Sequence, residues 1–135
     1  MKQYLLDTNM ISHLLRQHPA VLARVQSIPM ASLAISVITE AELNYGLARR
    51  PDARRLHLAV AELLKRIDIL NWDRGCAASY GDLRAVMEAN GKSLAAFDLQ
   101  IAAQARASQR VLVSNDQAFR QVPGMQFEDW TQSSG

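Results

Sequence analysis

Four of the thirteen acidic residues in this chain stand where the ordinary explanations for a carboxylate are weakest. Asp7 closes the apolar run Tyr4-Leu5-Leu6, and Glu42 lies in Thr39-Glu40-Ala41-Glu42-Leu43-Asn44-Tyr45-Gly46. Asp98 sits in Phe97-Asp98-Leu99-Gln100-Ile101-Ala102, and Asp116 follows Val111-Leu112-Val113 through Ser114-Asn115. Most of the others have simple roles: Glu62 and Glu88 fall on solvated helix faces, while Asp52, Asp68, Asp73, Glu128 and Asp129 mark element ends or edges. Four acids gathered at one place could not all stay ionised without a cation, because like charges raise one another's pKa. An all-oxygen donor set suits Mg²⁺ or Mn²⁺. The reaction such a set serves is metal-assisted hydrolysis of a phosphodiester. Zinc does not fit, since His13, His18 and His57 show no ligand spacing and the one cysteine, Cys76, falls on an apolar helix face. A glycine-rich phosphate loop and a Gly-x-Ser-x-Gly elbow are both missing from the sequence.

Each of the four acids also has a local alternative. Asp7 either ends a central strand of a parallel sheet, where open α/β sheets bind ligands, or caps the helix beginning near Asn9. Asp98 shares a helical face with Ile101, Ala102 and Ala105, opposite a polar face of Gln100, Gln104 and Ser108. A carboxylate on that apolar stripe is costly unless paired, protonated or bound to a cation; as an N-cap its direction would mean little. Thr39 and Glu42 have capping-box spacing, yet Ser36 is an equally good cap and would place Glu42 in the second turn. Gly46 follows one turn later, and a mid-helix glycine costs about 1 kcal/mol against alanine, which points to close packing or access. The rival acid Glu40 shares its face with Leu43, Asn44 and Leu47 instead. Asp116 again reads as a cap or as a strand-end acid, and two strand ends on neighbouring parallel strands would bring Asp7 and Asp116 together.

The elements that must position these residues alternate. Strands are expected at Tyr4–Leu6, Leu33–Val37, Ile67–Leu70, Val111–Val113 and, as a short edge strand, Met125–Phe127. Helices are expected after Asn9, from Pro19, over Ile38–Arg50, over Asp52–Arg66 beyond the break at Pro51, after Asp73, over Phe97–Ser108, and briefly over Gln117–Arg120. The order predicts an α/β domain with a parallel sheet and helices on both faces, spanning residues 1–135 as a single unit with a frayed tail from Thr131 to Gly135. At 49% hydrophobic the chain can build a core, and no apolar run reaches the length of a membrane span. The N-terminus carries no signal-peptide pattern, and a lone cysteine fits a reducing cytoplasm. A net charge of +2 permits a polyanionic partner without demanding one.

Taken together, Leu5-Leu6-Asp7-Thr8-Asn9, Glu42-Leu43-Asn44-Tyr45-Gly46, Phe97-Asp98-Leu99-Gln100-Ile101-Ala102 and Ser114-Asn115-Asp116 with Phe119 resemble the PIN-domain nucleases, and among them the VapC toxins of bacterial toxin–antitoxin pairs. The resemblance implies a five-stranded parallel sheet and a Mg²⁺-dependent endoribonuclease acting on structured RNA such as tRNA. Such a protein is usually a homodimer, silenced by a VapB-type antitoxin through which it meets operator DNA. By the same resemblance Asp7 and Asp98 are the principal metal ligands and Glu42 completes the first shell. Asp116 holds a second metal or orients water, and Ser114 supports Asp7. The alternative from another class is a PIN-like binding module that acts mainly as a co-repressor with its antitoxin and cleaves little or nothing. Arg49, Arg50, Arg54, Arg55, Lys65 and Arg66, clustered on the predicted helical hairpin, are candidate phosphate contacts.

Overall fold

The structure, a computed structural model, describes residues 1–132. For residues 133–135 the expected fraying of the tail lies outside the described residues.

Strand β1 (Tyr4–Leu6) is buried along its whole length, as a strand covered on both faces by helices must be. It leads into α1 (Thr8–Leu15) and α2 (Pro19–Gln26), then a short 3₁₀ turn and β2 (Leu33–Ser36). Helices α3 (Val37–Ala48) and α4 (Arg54–Arg66) form the expected hairpin before β3 (Asp68–Leu70). Helix α5 (Arg74–Ala89), capped by Asp73, and α6 (Ala96–Ala107) precede β4 (Val111–Val113), a 3₁₀ turn over Gln117–Gln121 and β5 (Phe127–Glu128). All pairings are parallel, in the order β3-β2-β1-β4-β5. β1 is therefore central, and the chain order reverses across it. That reversal opens a crevice at the carboxyl ends of β1 and β4, the place where open parallel sheets receive ligands.

Successive strand residues face opposite sides, so the two cores can be read from alternation. Tyr4, Leu6, Leu33, Ile35, Val111 and Val113 face α1 to α4, whereas Leu5, Ala34 and Leu112 face α5 and α6 with Leu83, Met87, Ala102 and Ala105. Trp130, 3% exposed, packs edge-on against Tyr4 at 5.1 Å between ring centroids and anchors this side of the core.

Three expectations need correction. Val37 starts α3 rather than ending β2, because the Ser36 hydroxyl accepts the Ile38 amide at 3.0 Å and caps the helix there. The edge strand is Phe127–Glu128, not Met125–Phe127. Gln104, expected on the polar face of α6, is fully buried. Its amide donates to the Asn71 carbonyl at 3.2 Å, tying α6 to the segment that enters α5. A polar residue whose backbone partner lies on a distant segment reads as surface in a sequence although it is core.

Candidate active site

Asp7 occupies the central position. Its backbone amide donates to the Val113 carbonyl at 3.1 Å, continuing the β1–β4 ladder, and its Oδ1 accepts the Met10 amide at 2.9 Å as the N-cap of α1. The two readings of this residue are thus both true: it ends the central strand and caps a helix. It is also 7% exposed, and the cap occupies only one carboxylate oxygen. Burial pushes its pKa up from 3.8 to about 6, against the lowering effect of the Ser114 hydroxyl and the Met10 amide, with the negative charges of Asp98 and Asp116 adding to the rise.

The other three acids arrive from separate elements. Helix α6 runs back to β4, so its N-terminus lies over the carboxyl edge of the sheet, and Asp98 sits in its first turn. Ala95 is the cap position and provides no side-chain hydrogen bond, which removes the capping explanation for Asp98. Among the described residues no protein donor reaches its carboxylate. Burial and then the charges of Asp116 and Glu42 hold the Asp98 pKa above the usual carboxylate range.

Helix α3 begins at the end of β2 with Ser36 as cap, placing Glu42 in the second turn. No capping box forms: Thr39 lies inside the helix, buried, with no partner for its hydroxyl among the described residues. Glu42 instead accepts a 2.6 Å hydrogen bond from the Thr8 hydroxyl. Thr8 is the site residue that motif reading did not single out; its position directly after Asp7 was the available signal. Asp116 caps the 3₁₀ turn after β4, accepting the Ala118 amide at 2.9 Å, and its own amide donates to the Ser114 hydroxyl at 3.0 Å. Ser114 is fully buried between the two strand-end acids, holding the Asp116 amide and lowering the Asp7 pKa.

All four predicted acids therefore meet at one edge, coupled through their charges. Among the described residues no three acidic, histidine or cysteine side chains converge into a preformed metal cage. The fit to a divalent cation lies in the donor chemistry: a hard cation among these four carboxylates, two of them displaced upward by burial and neighbouring charge, would offset their repulsion. The nitrogen and sulfur donors stand elsewhere. His13 and His18 pack edge-on with 5.2 Å between ring centroids, His57 bonds the Arg50 carbonyl at 2.9 Å, and Cys76 is buried with its pKa raised by that burial.

Beside Glu42 a groove of about 800 Å³ opens between α1, α3, α4 and the start of α6. Gly46 borders it, and a Cβ there would meet nothing within 4 Å, so the glycine provides access rather than close packing. Gly46→Ala is expected to stabilise the fold by up to ~1 kcal/mol, from helix propensity alone, as read from denaturant midpoints; a destabilised variant would contradict the open geometry. Of the basic cluster on the hairpin, Arg49 and Arg50 line this groove. Lys65 and Arg66 lie within 3.3 and 3.7 Å of Glu62 on the exposed face of α4.

A parallel sheet of this order with acids from β1, α3, α6 and the β4 exit defines a nuclease-like α/β domain. The PIN domain family model matches residues 4–125, and the chain belongs to that family. It is 32% identical to the tRNA(fMet)-specific endonuclease VapC of Shigella flexneri over 97% of this chain and all of that one. Among solved structures, the DNA-bound VapBC of Salmonella typhimurium matches with a TM-score of 0.87 and 29% identity over 96% of this chain and 99% of that one. VapBC2 of Rickettsia felis, bound to a promoter DNA fragment, matches with a TM-score of 0.85 and 29% identity over 94% and 98%. Among the described residues no helix is long and apolar enough to cross a membrane.

Proposed function

We propose that this chain is a divalent-metal-dependent endoribonuclease of the VapC type, a single PIN domain acting in the cytoplasm and neutralised by a VapB-type antitoxin. The observation that carries this reading is the charge coupling that links four acids from different segments: Asp7 feels Asp98 and Asp116, and Asp98 feels Asp116 and Glu42. Asp7 and Asp98 would hold the cation, with Glu42 closing its shell from the Thr8 side and Asp116 supporting a second ion or a water. Ser114 keeps Asp7 oriented. Mg²⁺ is the expected ion, with Mn²⁺ able to replace it. When bound, the cation supplies Lewis acidity, activating water and offsetting charge at the attacked phosphate. The protein's own part is to fix the carboxylates: a backbone amide holds one oxygen of Asp7 and another holds one of Asp116, leaving the second oxygen of each for the site.

RNA is the proposed substrate, with tRNA the first class to test given the name of the Shigella relative. The DNA-bound relatives support an antitoxin partner that makes the operator contacts, this chain meeting DNA only through it, and a homodimeric toxin is the expected assembly. Those complexes also favour the co-repressor alternative. Against an idle site stands its electrostatic cost, since two carboxylates held above their ordinary range are a poor choice for a purely structural edge. Incubating the purified protein with total tRNA decides between them: cleavage is expected with Mg²⁺, abolished by EDTA and restored by excess Mg²⁺ or Mn²⁺. Cleavage that persists in EDTA overturns the metal-dependent mechanism, and none under any metal leaves the co-repressor.

A further inference from the structure

Two large aromatic side chains next to the carboxylates have no packing reason to stand where they do. Phe97 is 59% and Tyr45 64% exposed, and both line the groove bordered by Thr8 and Glu42. Phe97 immediately precedes Asp98 in the first turn of α6. Tyr45 lies one helical turn beyond Glu42 on α3, a spacing that puts both side chains on one face with Cβ atoms about 5–6 Å apart. A further turn along, the Arg49 guanidinium lies 5.0 Å from the Tyr45 ring centroid, and Arg16 and Arg50 extend the cationic rim.

We propose that Phe97 and Tyr45 are stacking platforms for unpaired bases on either side of the scissile phosphate, while Arg16 and Arg49 take neighbouring phosphates. The groove then leads a single RNA strand past the carboxylates, and the two rings set which bases are accepted there. This inference rests on the ribonuclease function proposed above. Single-stranded RNA is gripped by aromatic faces under splayed bases and by cations that follow the backbone; Arg49 over Tyr45 combines the two. Charge favours a polyanionic strand over a basic peptide: among the described residues, Arg16, Arg49 and Arg50 line the groove against a single acid, Glu42. The groove also has an aliphatic lining that includes Leu47 of α3 and Leu56 and Val60 of α4.

The test uses a short single-stranded RNA of randomised sequence carrying 2-aminopurine, whose fluorescence falls on stacking. Bound to full-length protein with Asp98→Asn in Mg²⁺, so that the strand is not cut, the probe is expected to be quenched. Adding Phe97→Ala or Tyr45→Ala should weaken binding by about ten- to hundredfold. Phe97→Trp should restore it and Phe97→Leu, equally apolar but without a ring, should not. With Asp98 intact, the alanine variants should raise KM for tRNA by a similar factor with kcat little changed. Unchanged quenching and KM, in a protein that still cleaves, overturn stacking and leave the ribonuclease standing. Quenching that is lost in Phe97→Ala, in a protein that cleaves nothing, upholds strand binding and removes the ribonuclease. If the alanine variants bind RNA normally but lose the antitoxin, the face is a protein-docking surface and the inference is wrong.

Discussion

Asp98→Asn should fold as the parent does and lose RNA cleavage by well over ~100-fold, because even groups that merely orient metal ligands are worth about 10–100-fold. Its position makes the substitution clean. Asp98 caps nothing, and among the described residues no protein donor relies on it, so the carboxylate contributes charge to the site and little to the fold. Removing that charge also relieves repulsion on Asp7, and the thermal midpoint is expected to hold or rise. Glu40→Gln is the matched control, an acid on the same helix as Glu42 but outside the groove lining. Cleavage assays of both variants beside the parent, with denaturation curves, separate the outcomes. An active Asp98→Asn protein would remove the carboxylate edge as the catalytic centre, and loss in both variants would point to a fold defect.

Much of this site was legible because its residues disobey local rules. Asp98 follows the buried stripe of an alanine-rich helix without a capping partner, and a mid-helix Gly46 has no structural justification in the sequence. The proposed function accounts for both oddities, since functional positions often break such rules. Asp7 and Asp116 were ambiguous for a physical reason: a strand that runs straight into a helix puts cap and catalyst at the same residue, and the structure shows each serving as a cap while facing the edge. Thr8 and Gln104 were harder to find. Whether a hydroxyl reaches across 34 positions to Glu42, or an amide finds a backbone carbonyl inside the core, depends on packing between distant elements and leaves no periodic trace. The strand order was within reach of topology rules only as a class. The apolar run of Tyr4 to Leu6 marks β1 as a buried strand, as Val111 to Val113 marks β4, but the reversal across β1 is set by which face α5 and α6 cover.

The second large effect is on stability, and its sign is opposite to that of activity. Asp7 has a pKa of about 6 in the folded protein against an ordinary 3.8, so between these values the folded state binds more protons than the unfolded one. Stability is then fully present below pH 4 and falls as the pH rises through 6, by roughly 3 kcal/mol in the metal-free protein. Asp98, shifted the same way, adds to the trend. Asp7→Asn removes the buried charge while keeping a side chain that caps helices as well as aspartate does, so the Met10 amide retains its acceptor. Metal-free Asp7→Asn is expected to be more stable than the parent at pH 7 by about 2 kcal/mol, a midpoint rise of roughly 5–10 °C, with the advantage gone near pH 4. Mg²⁺ should then stabilise the parent and not the variant, since a cation bound only by the folded state raises its stability by mass action. Urea titrations of both proteins between pH 4 and 7, with and without Mg²⁺, measure all of this. A parent-minus-variant difference that stays flat across that range would mean that Asp7 is not carrying a strained charge. The expected pattern instead makes the residue that most weakens the resting fold the one that a cation most needs.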